Sequence, residues 1–134
     1  MAAQDLEKKA KEIRRDVIKM MAQAGSGHSA GSLGMVEIIT ALYFDILIYD
    51  PKNPSWDKRD RLFLSHGHVC PTLYAAMAHA GYFSRTKLKT LRRLGSPLQG
   101  HPEREKLPGI EITSGPLRGG FAEAEGYALA ARMD

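Results

Sequence analysis

Residues 61–81, RLFLSHGHVCPTLYAAMAHAG, decide the fold class expected from this sequence. The apolar run at 62–64 is typical of a short buried strand, and small and polar residues follow it at 65–68. The next residues predict a helix, because Pro71 is tolerated in a first helical turn and Gly81 is a common stop signal. A strand followed by a turn and a helix is the repeating unit of α/β folds, so the sequence favours that class.

Further helices are expected on both sides of this unit. Residues 5–24 place apolar side chains three and four positions apart, which predicts an amphipathic helix that ends at Gly25. Residues 32–50 are apolar nearly all round, so we expect this second helix to be buried on most of its sides. The basic segment 84–95 and the alanine-rich segment 119–134 also have helical patterns.

Only one other strand is expected. Four prolines and four glycines between Gly95 and Pro116 prevent long regular elements, which leaves room for a short strand at 110–113. The sequence therefore predicts a helix-rich α/β fold in a single domain over residues 1–134, with a short, incomplete parallel sheet formed by 62–65 and 110–113.

Composition narrows the class of protein. The chain has 134 residues, of which 43% are hydrophobic and 25% charged, and this fits one soluble globular domain that can bury a core. No apolar run reaches the roughly 18 residues that a membrane span needs, and the N-terminus lacks a secretory apolar stretch. The single cysteine, Cys70, rules out an internal disulfide and fits a reducing compartment. We therefore expect a cytoplasmic protein with no membrane association.

Most of the formal charge of +4 comes from residues 84–95, which carry five cations and no acid. We expect a helix here, capped by Ser84, whose Leu88, Leu91 and Leu94 face inward. A solvated cationic face is one interpretation of the segment, and a phosphate-contacting patch is the other. Nucleic-acid binding is not expected, because no aromatic residue lies between the cations as a stacking platform.

Four of the five histidines lie in predicted turns, and each is next to a glycine or one residue away from one. They are His28, His66, His68 and His101. Turns at strand ends are where α/β folds place ligand chemistry. His28 lies in GSGHSAGS, 25–32, whose small residues would let a ligand approach the backbone closely. A flexible connection between helices is the alternative for this stretch. The fifth histidine, His79, is predicted to be an ordinary helix residue.

Two other chemistries are open at the HGH stretch. His66 and His68 would point to the same face of a strand, as metal ligands do, but no cysteine pair, HExxH motif or acidic cluster accompanies them. We therefore predict no metal ligands in this chain. Cys70 could be a nucleophile activated by His68, although a lone cysteine at a helix start is more often a small buried apolar residue.

Three motifs resemble the N-terminal part of transketolases: SGHSAGSLG at 26–34, DRLFLSHGHVCPTLYAAMAHAGYF at 60–83 and LQGHPEREKLPGIEITSGPL at 98–117. The resemblance begins near Asp5 and is closest to the thiamine diphosphate-binding half that forms a separate chain in bacterial and archaeal split transketolases. It implies a transferase of the pentose phosphate pathway that moves a two-carbon ketol unit between sugar phosphates with the help of thiamine diphosphate.

The resemblance implies roles for five residues. His28 would face the carbonyl end of the donor sugar, His68 would lie beside the diphosphate and the reactive carbon, and His101 would bond a terminal hydroxyl of the substrate. These three are the catalytic candidates, and His68 also counts as a cofactor contact. Gly115 would hold the aminopyrimidine through its backbone, and the Leu117 side chain would support the bend of the cofactor.

The family pattern continues beyond the matched motifs. It places a GDG motif after the last helix, followed by an asparagine, to hold Mg²⁺ and the diphosphate, and a second domain supplies a carboxylate that activates the aminopyrimidine. This sequence ends at Asp134 before those parts, and Arg118 and Glu125 stand where smaller or apolar residues are usual. We therefore expect a chain that is inactive and free of cofactor alone, and that requires a complementary transketolase chain, a homo-oligomer such as a dimer, or both. The alternative is a truncated, non-catalytic descendant that acts as an oligomerisation or partner-binding module.

Overall fold

The computed structural model of the chain describes residues 2–115 and 117–133, which form helices joined by irregular segments. The α-helices are α1 (Ala3–Ala24), α2 (Ser29–Gly34), α3 (Val36–Ala41), α4 (Cys70–Ala80) and α5 (Gly119–Ala130). A π-helical turn, Leu42–Ile46, continues α3, and two short 3-10 helices span Gly67–Val69 and Arg85–Thr90. Within the described ranges no helix is both long and apolar enough to cross a bilayer.

Helix α1 has the amphipathic form that its sequence predicts. One face packs into the core through Ala10, Ile13, Val17, Met20 and Met21. Gly25 ends the helix with φ 67°, and its backbone N–H donates to the carbonyl of Ala22. A glycine reaches this left-handed conformation without the steric cost that a Cβ adds, so the predicted stop is confirmed.

Helix α4 lies at the centre of the molecule. Every residue from Cys70 to Ala78 is buried, because α1, α3 and the Arg85–Thr90 helix pack around it. Pro71 occupies its first turn and Gly81 ends it with φ 98°, so the helix predicted after the HGH motif is confirmed at both ends.

The predicted parallel sheet is wrong. Neither 62–65 nor 110–113 forms a strand, and no strand occurs anywhere in 2–115 or 117–133. The apolar pattern did predict burial correctly, since Leu64, Ile110 and Ile112 are each at least nine-tenths buried. The α/β class is therefore replaced by a helical fold.

The two segments lack the backbone pairing that defines a strand. A β-ladder needs N–H and carbonyl groups of neighbouring chains to bond to each other, which an apolar run alone does not provide. Here the Ser114 N–H donates to the carbonyl of Pro102 in its own loop. Side chains link 110–113 to the residues just before 62–65 instead: Arg59 and Arg61 both form ion pairs with Glu111.

The segment 32–50 is less buried than its composition predicts. Its helical part is broken at Met35 between α2 and α3, and only the side that faces α1 and α4 is covered. The buried side chains include Val36, Ile39 and Tyr43. The exposed large apolar side chains of this segment are Ile38, Ile46 and Ile48, each more than half exposed. The expectation of burial on most sides is therefore wrong for this chain by itself.

The basic segment confirms one part of its prediction and contradicts another. The Ser84 hydroxyl caps the 3-10 helix by accepting from the Thr86 N–H, and Leu88 and Leu91 are buried. Leu94 is fully exposed, whereas the sequence pattern placed it inside. The helical register ends at Thr90 and the backbone then turns through Arg92 at φ 59°, so spacing no longer predicts orientation.

Helix α5 forms where the alanine-rich segment predicts it, but most of its surface is uncovered. Gly120 packs against Ser65, while Phe121, Tyr127 and Leu129 are exposed. Glu125 also faces solvent, so the cost of burying its charge does not arise in this arrangement.

Candidate functional site

Three segments that are distant in sequence bring histidines together. His28 precedes α2, His66 and His68 lie in the turn that leads into α4, and His101 lies in the long loop before α5. The ring centroids of His28 and His68 are 4.9 Å apart at an interplanar angle of 65°, and those of His66 and His68 are 6.1 Å apart at 56°. We call His28, His66, His68 and His101 the histidine cluster.

Glycines allow these segments to approach one another. A Cβ on Gly31 would lie 2.8 Å from Cγ1 of Val69 and 3.8 Å from Nε2 of His68, so α2 can pack against the His68 turn only with a glycine there. A Cβ on Gly67 would overlap the carbonyl oxygen of Ser114 and would lie 3.0 Å from Cδ2 of His101. The small residues beside the histidines therefore close the contacts between the three segments.

The electrostatics of the cluster favour an uncharged ring at His68. Burial lowers the pKa of His68, and the neighbouring rings of His28, His66 and His101 lower it further because like charges repel. His28 and His101 are exposed, and His68 is half-buried. A neutral imidazole both donates and accepts a hydrogen bond, so His68 offers both kinds of group to a polar ligand.

His101 also borders an open cleft of about 520 Å³. Gly115 lines the same cleft, whereas Leu117 is 65% exposed and lies outside its lining. The Ser114 hydroxyl, in the wall of the cleft, is buried and has no hydrogen-bond partner in the part of the chain that the structure describes. The structure thus brings His28, His68, His101 and Gly115 to one region of the molecule, and it leaves Leu117 on the surface.

Helix α4 holds the loop that carries His101. The Tyr74 hydroxyl donates to the carbonyl of Gln99 at 3.0 Å, and Sγ of Cys70 lies 3.2 Å from the carbonyl oxygen of Gly100. Burial raises the pKa of the Cys70 thiol to about 12. The thiol is fully buried and protonated at neutral pH, so the interpretation of Cys70 as a nucleophile is wrong and its role is to hold the loop.

His79 lies apart from the cluster, between α1 and α4. Its Nε2 is 2.9 Å from Oδ2 of Asp16, which also accepts from the Arg85 guanidinium at 2.8 Å. The His79 side chain is 2% exposed. It therefore takes part in helix packing, as the prediction of an ordinary helix residue implied.

Sequence reasoning missed three participants in this region. His66 received no role, although its place in the HGH stretch was a sufficient signal that it joins His68. Ser114 and Arg92 gave no local signal, because their places depend on contacts with distant segments. Within the described residues no group of three His, Cys, Asp or Glu side chains could hold a metal ion.

The basic segment is divided between solvent and intramolecular contacts. Lys87, Lys89 and Arg93 are exposed. Arg85 bonds to Asp16 and Arg92 bonds to Ser26, so these two guanidinium groups hold other parts of the chain. The interpretation as a solvated face therefore accounts for the lysines and not for all of the arginines.

The family model for the transketolase thiamine diphosphate-binding domain matches residues 6–134. A curated relative, the 6-deoxy-6-sulfo-D-fructose transketolase subunit of Clostridium sp. strain MSTE9, is 45% identical over 130 residues, which is 97% of this chain and 47% of the relative. An apulose-4-phosphate transketolase subunit of Phocaeicola vulgatus is 39% identical over 134 residues and is covered to 47% of its length. The chain therefore spans about half the length of these relatives.

Solved structures agree with these matches. Transketolase from Leishmania mexicana superposes with a TM-score of 0.90 at 39% identity, over 97% of this chain and 19% of that one. Transketolase from Campylobacter jejuni superposes with a TM-score of 0.89 at 40% identity, over 98% of this chain and 21% of that one. The helical arrangement described above is thus similar to one part of these larger proteins.

Proposed function

The chain belongs to the family of transketolase thiamine diphosphate-binding domains, and on that basis we propose that it supplies donor-sugar and cofactor contacts for two-carbon ketol transfer between sugar phosphates. In this proposal residues 1–134 are a single domain, the N-terminal portion of the diphosphate-binding domain. The chain is a component of a transferase rather than a complete enzyme.

One observation carries the proposal: imidazoles from three separate segments converge on a region that is open to ligand. A donor sugar presents several hydroxyls whose protons must be held or moved near neutral pH, and imidazole is the side chain suited to that task. We assign His28 to the carbonyl end of the donor, His101 to a terminal hydroxyl and His68 to the neighbourhood of the diphosphate. The lowered pKa of His68 favours its neutral ring, in which one ring nitrogen can accept a hydroxyl proton.

The residues present fit the organic part of thiamine diphosphate better than its metal-bound end. The unpartnered Ser114 hydroxyl and the Gly115 backbone border a cleft beside His101, so polar groups are available to a ring amine. Leu117, which is exposed, would contact the ring system from one side. When bound, this cofactor supplies the carbon nucleophile of ketol transfer.

The described residues offer no comparable site for Mg²⁺ and the diphosphate, since no group of three metal-ligating side chains occurs among them. A metal-bound diphosphate depends on charge-assisted contacts that neutral imidazoles do not replace. We therefore propose that further polypeptide holds these groups in the complete enzyme, and that this chain by itself binds neither of them.

The relatives support a complementary transketolase chain as the partner, because the two curated relatives named above are themselves subunits. A homo-oligomer, most simply a two-fold dimer, is the second element of the proposal. Apolar side chains that are more than half exposed in the described part of the chain support both: Ile38 and Ile46 on one side, and Phe121 and Leu129 on α5. We place the protein in the cytoplasm because its single, buried thiol is suited to a reducing compartment.

The function is tested by coexpression with a complementary transketolase chain that carries both the GDG metal motif and the second domain, followed by a ketol-transfer assay. The donors are xylulose 5-phosphate and 6-deoxy-6-sulfo-D-fructose, with ribose 5-phosphate as acceptor. We expect transfer from at least one donor in the purified assembly and none from either chain alone. An assembly that forms but transfers no ketol unit would favour the non-catalytic binding module, to which the exposed face of α5 is also suited.

His101→Ala in the active assembly tests a single assignment. We expect turnover to fall by about 100-fold or more while cofactor affinity stays nearly unchanged, because its proposed partner is a sugar hydroxyl. His79→Gln is the matched control, since His79 bonds to Asp16 between helices. Equal losses of cofactor binding and turnover in His101→Ala would contradict the role.

Two measurements on the chain alone test the rest. Calorimetric titration with Mg²⁺ and thiamine diphosphate should show no saturable binding; micromolar binding would mean that another diphosphate site exists, with residues 85–93 as the first place to examine. Light scattering should show a dimer or larger species, whereas a monodisperse monomer at tens of micromolar would contradict the oligomer.

A further inference from the structure

Arg92 links two of the segments that carry the histidine cluster. Its Nη1 donates to the Ser26 hydroxyl at 3.3 Å, two residues before His28. A Cβ on Gly100 would lie 3.1 Å from Nε and 3.3 Å from Cζ of Arg92, so the guanidinium covers the residue that precedes His101. One side chain thus contacts both the His28 segment and the His101 loop.

The backbone of Arg92 is held in an unusual conformation. Its φ of 59° lies in the left-handed region, which non-glycine residues rarely adopt. Leu91 on one side is buried, and the Arg92 N–H donates to the carbonyl of Leu98 at 2.8 Å. This bond closes a turn over 92–98 whose far end leads directly into the His101 loop. The surrounding contacts therefore fix the direction in which the side chain leaves the backbone.

The His101 loop is held by two sets of contacts. Tyr74 and Cys70 of α4 bind the carbonyl groups of Gln99 and Gly100, as described above. Arg92 also contacts Gly100, and the loop has no helix or strand of its own to fix it. The Nε of Arg92 is buried and has no hydrogen-bond partner among residues 2–115 and 117–133, so this placement is kept although one donor is left unsatisfied.

We propose that Arg92 is a positioning residue that sets the separation of His28 and His101, acting through Ser26 and Gly100. The catalytic consequence rests on the function proposed above, in which these two histidines contact different parts of one donor sugar. The structural consequence does not depend on it. A planar guanidinium can bridge two segments at once, whereas a lysine ammonium on a flexible stem holds one of them.

The first experiment needs no activity. The chain is labelled at histidine with ¹³C and ¹⁵N, and ring resonances are compared in the unmodified chain, Arg92→Ala and Arg93→Ala. Arg93 is the matched control, because it is the adjacent arginine and is exposed. We expect the resonances of both His28 and His101 to move in Arg92→Ala and to stay in place in Arg93→Ala. Equal responses in the two variants would overturn the proposal.

Further variants separate bridging from folding. Ser26→Ala should move the His28 resonances alone, and adding it to Arg92→Ala should change little more, since the contact is already lost. Where Arg92→Ala does not fold, Arg92→Gly removes the same side chain at a position whose positive φ suits glycine. In Arg92→Lys, the ring resonances of His28, His101 or both should move as they do in Arg92→Ala. If lysine restores both sets of resonances to their positions in the unmodified chain, the bridging role is overturned.

The second experiment uses the active assembly with the complementary chain. We expect Arg92→Ala to lower kcat/KM for ketol transfer by about 10- to 100-fold with cofactor affinity within about twofold, because small misplacements of reacting groups cost rate rather than cofactor binding. Arg93→Ala should retain full activity. Absence of transfer in the unmodified assembly would refute the proposed function and leave the resonance test decisive for Arg92. An active assembly in which Arg92→Ala equals Arg93→Ala would overturn the positioning role.

Discussion

Histidine side chains occur in two contrasting surroundings in this molecule. One is the interface of α1 and α4, and the other is the histidine cluster. The His79 side chain is 2% exposed and bonds to Asp16 of α1, which also accepts from Arg85 of the neighbouring 3-10 helix, so these polar partners belong to helices packed around it. His28 and His101 are exposed, and the ring nearest to His28 in the cluster is another imidazole, that of His68. Burial with a carboxylate partner marks a packing histidine, whereas convergence of several open imidazoles marks a place where a ligand can bind.

The largest effect that sharpens this comparison is expected at the α1 face. Ile13 is fully buried, so Ile13→Ala should lower the free energy of unfolding by about 2–5 kcal/mol through lost burial and a cavity. Ile18 is 49% exposed on the same helix and is the matched control; Ile18→Ala should change the value by about 0.5 kcal/mol or less. Urea denaturation measures both, and equal losses would contradict the assignment of the buried face.

The next effect concerns two of the three segments that carry the histidine cluster, the turn with His68 and the loop with His101. Gly67→Ala places a methyl group against the Ser114 carbonyl and beside His101, so it should cost about 1–3 kcal/mol and displace the His101 loop. Gly34→Ala is the control, because a Cβ there meets nothing within 4 Å and alanine is the better helix residue. A thermal unfolding midpoint that falls for Gly67→Ala and holds or rises for Gly34→Ala is expected. A tolerated Gly67→Ala would mean that the segments are not in close contact.

The sequence predicted the helices well because their signals are local. The three-and-four spacing of α1 and the stops at Gly25 and Gly81 need no knowledge of the rest of the chain. The prediction of a sheet was wrong because a strand forms only by pairing with a neighbouring strand. The apolar run at 62–64 is equally compatible with a buried irregular segment. The prediction that Leu94 faces inward was wrong because the spacing of the leucines does not reveal the left-handed conformation at Arg92.

The site was predictable to the extent that short motifs carry it. Glycine neighbours indicated His28, His68 and His101, and the structure brings all three to one region. Their roles and those of Gly115 and Leu117 stay predictions. The links that hold the region together, such as Arg92 with Ser26, join residues 66 positions apart, and no local pattern reports such a pair.

A smaller effect on the free energy of unfolding is expected when the pH is lowered. Burial lowers the pKa of His79, although its bond to Asp16 acts in the opposite direction, and burial with the neighbouring imidazoles lowers the pKa of His68. Below the unfolded-state pKa of about 6.5, the unfolded chain therefore binds more protons than the folded chain. The stability that these two histidines contribute is complete above that pH and is lost as the pH falls toward their folded-state pKa values. Burial raises the pKa of Asp16, but its bonds to His79 and Arg85 outweigh that and lower it, so its stabilising effect is lost only near the acid range of carboxylates.

Urea denaturation between about pH 7.5 and about pH 5.5 measures how steeply the free energy of unfolding changes with pH because of the histidines. The free energy of unfolding should fall with pH in the unmodified chain, and His79→Gln and His68→Gln should each flatten the dependence. A slope that neither substitution changes would contradict the assignment of these groups as its source.

The smallest effect on stability is expected at His28, and it tests the comparison most directly. The side chain is exposed, so His28→Ala should change the free energy of unfolding by about 0.5 kcal/mol or less. His79→Ala, the matched substitution, removes a buried hydrogen-bond partner of Asp16 and should cost about 1–3 kcal/mol. In the active assembly the order should reverse, because His28 contacts the donor in the proposed function and His79 does not. A His28→Ala chain that unfolds as easily as His79→Ala, or an assembly that tolerates the loss of His28 better than the loss of His79, would contradict the division between packing and ligand-binding histidines.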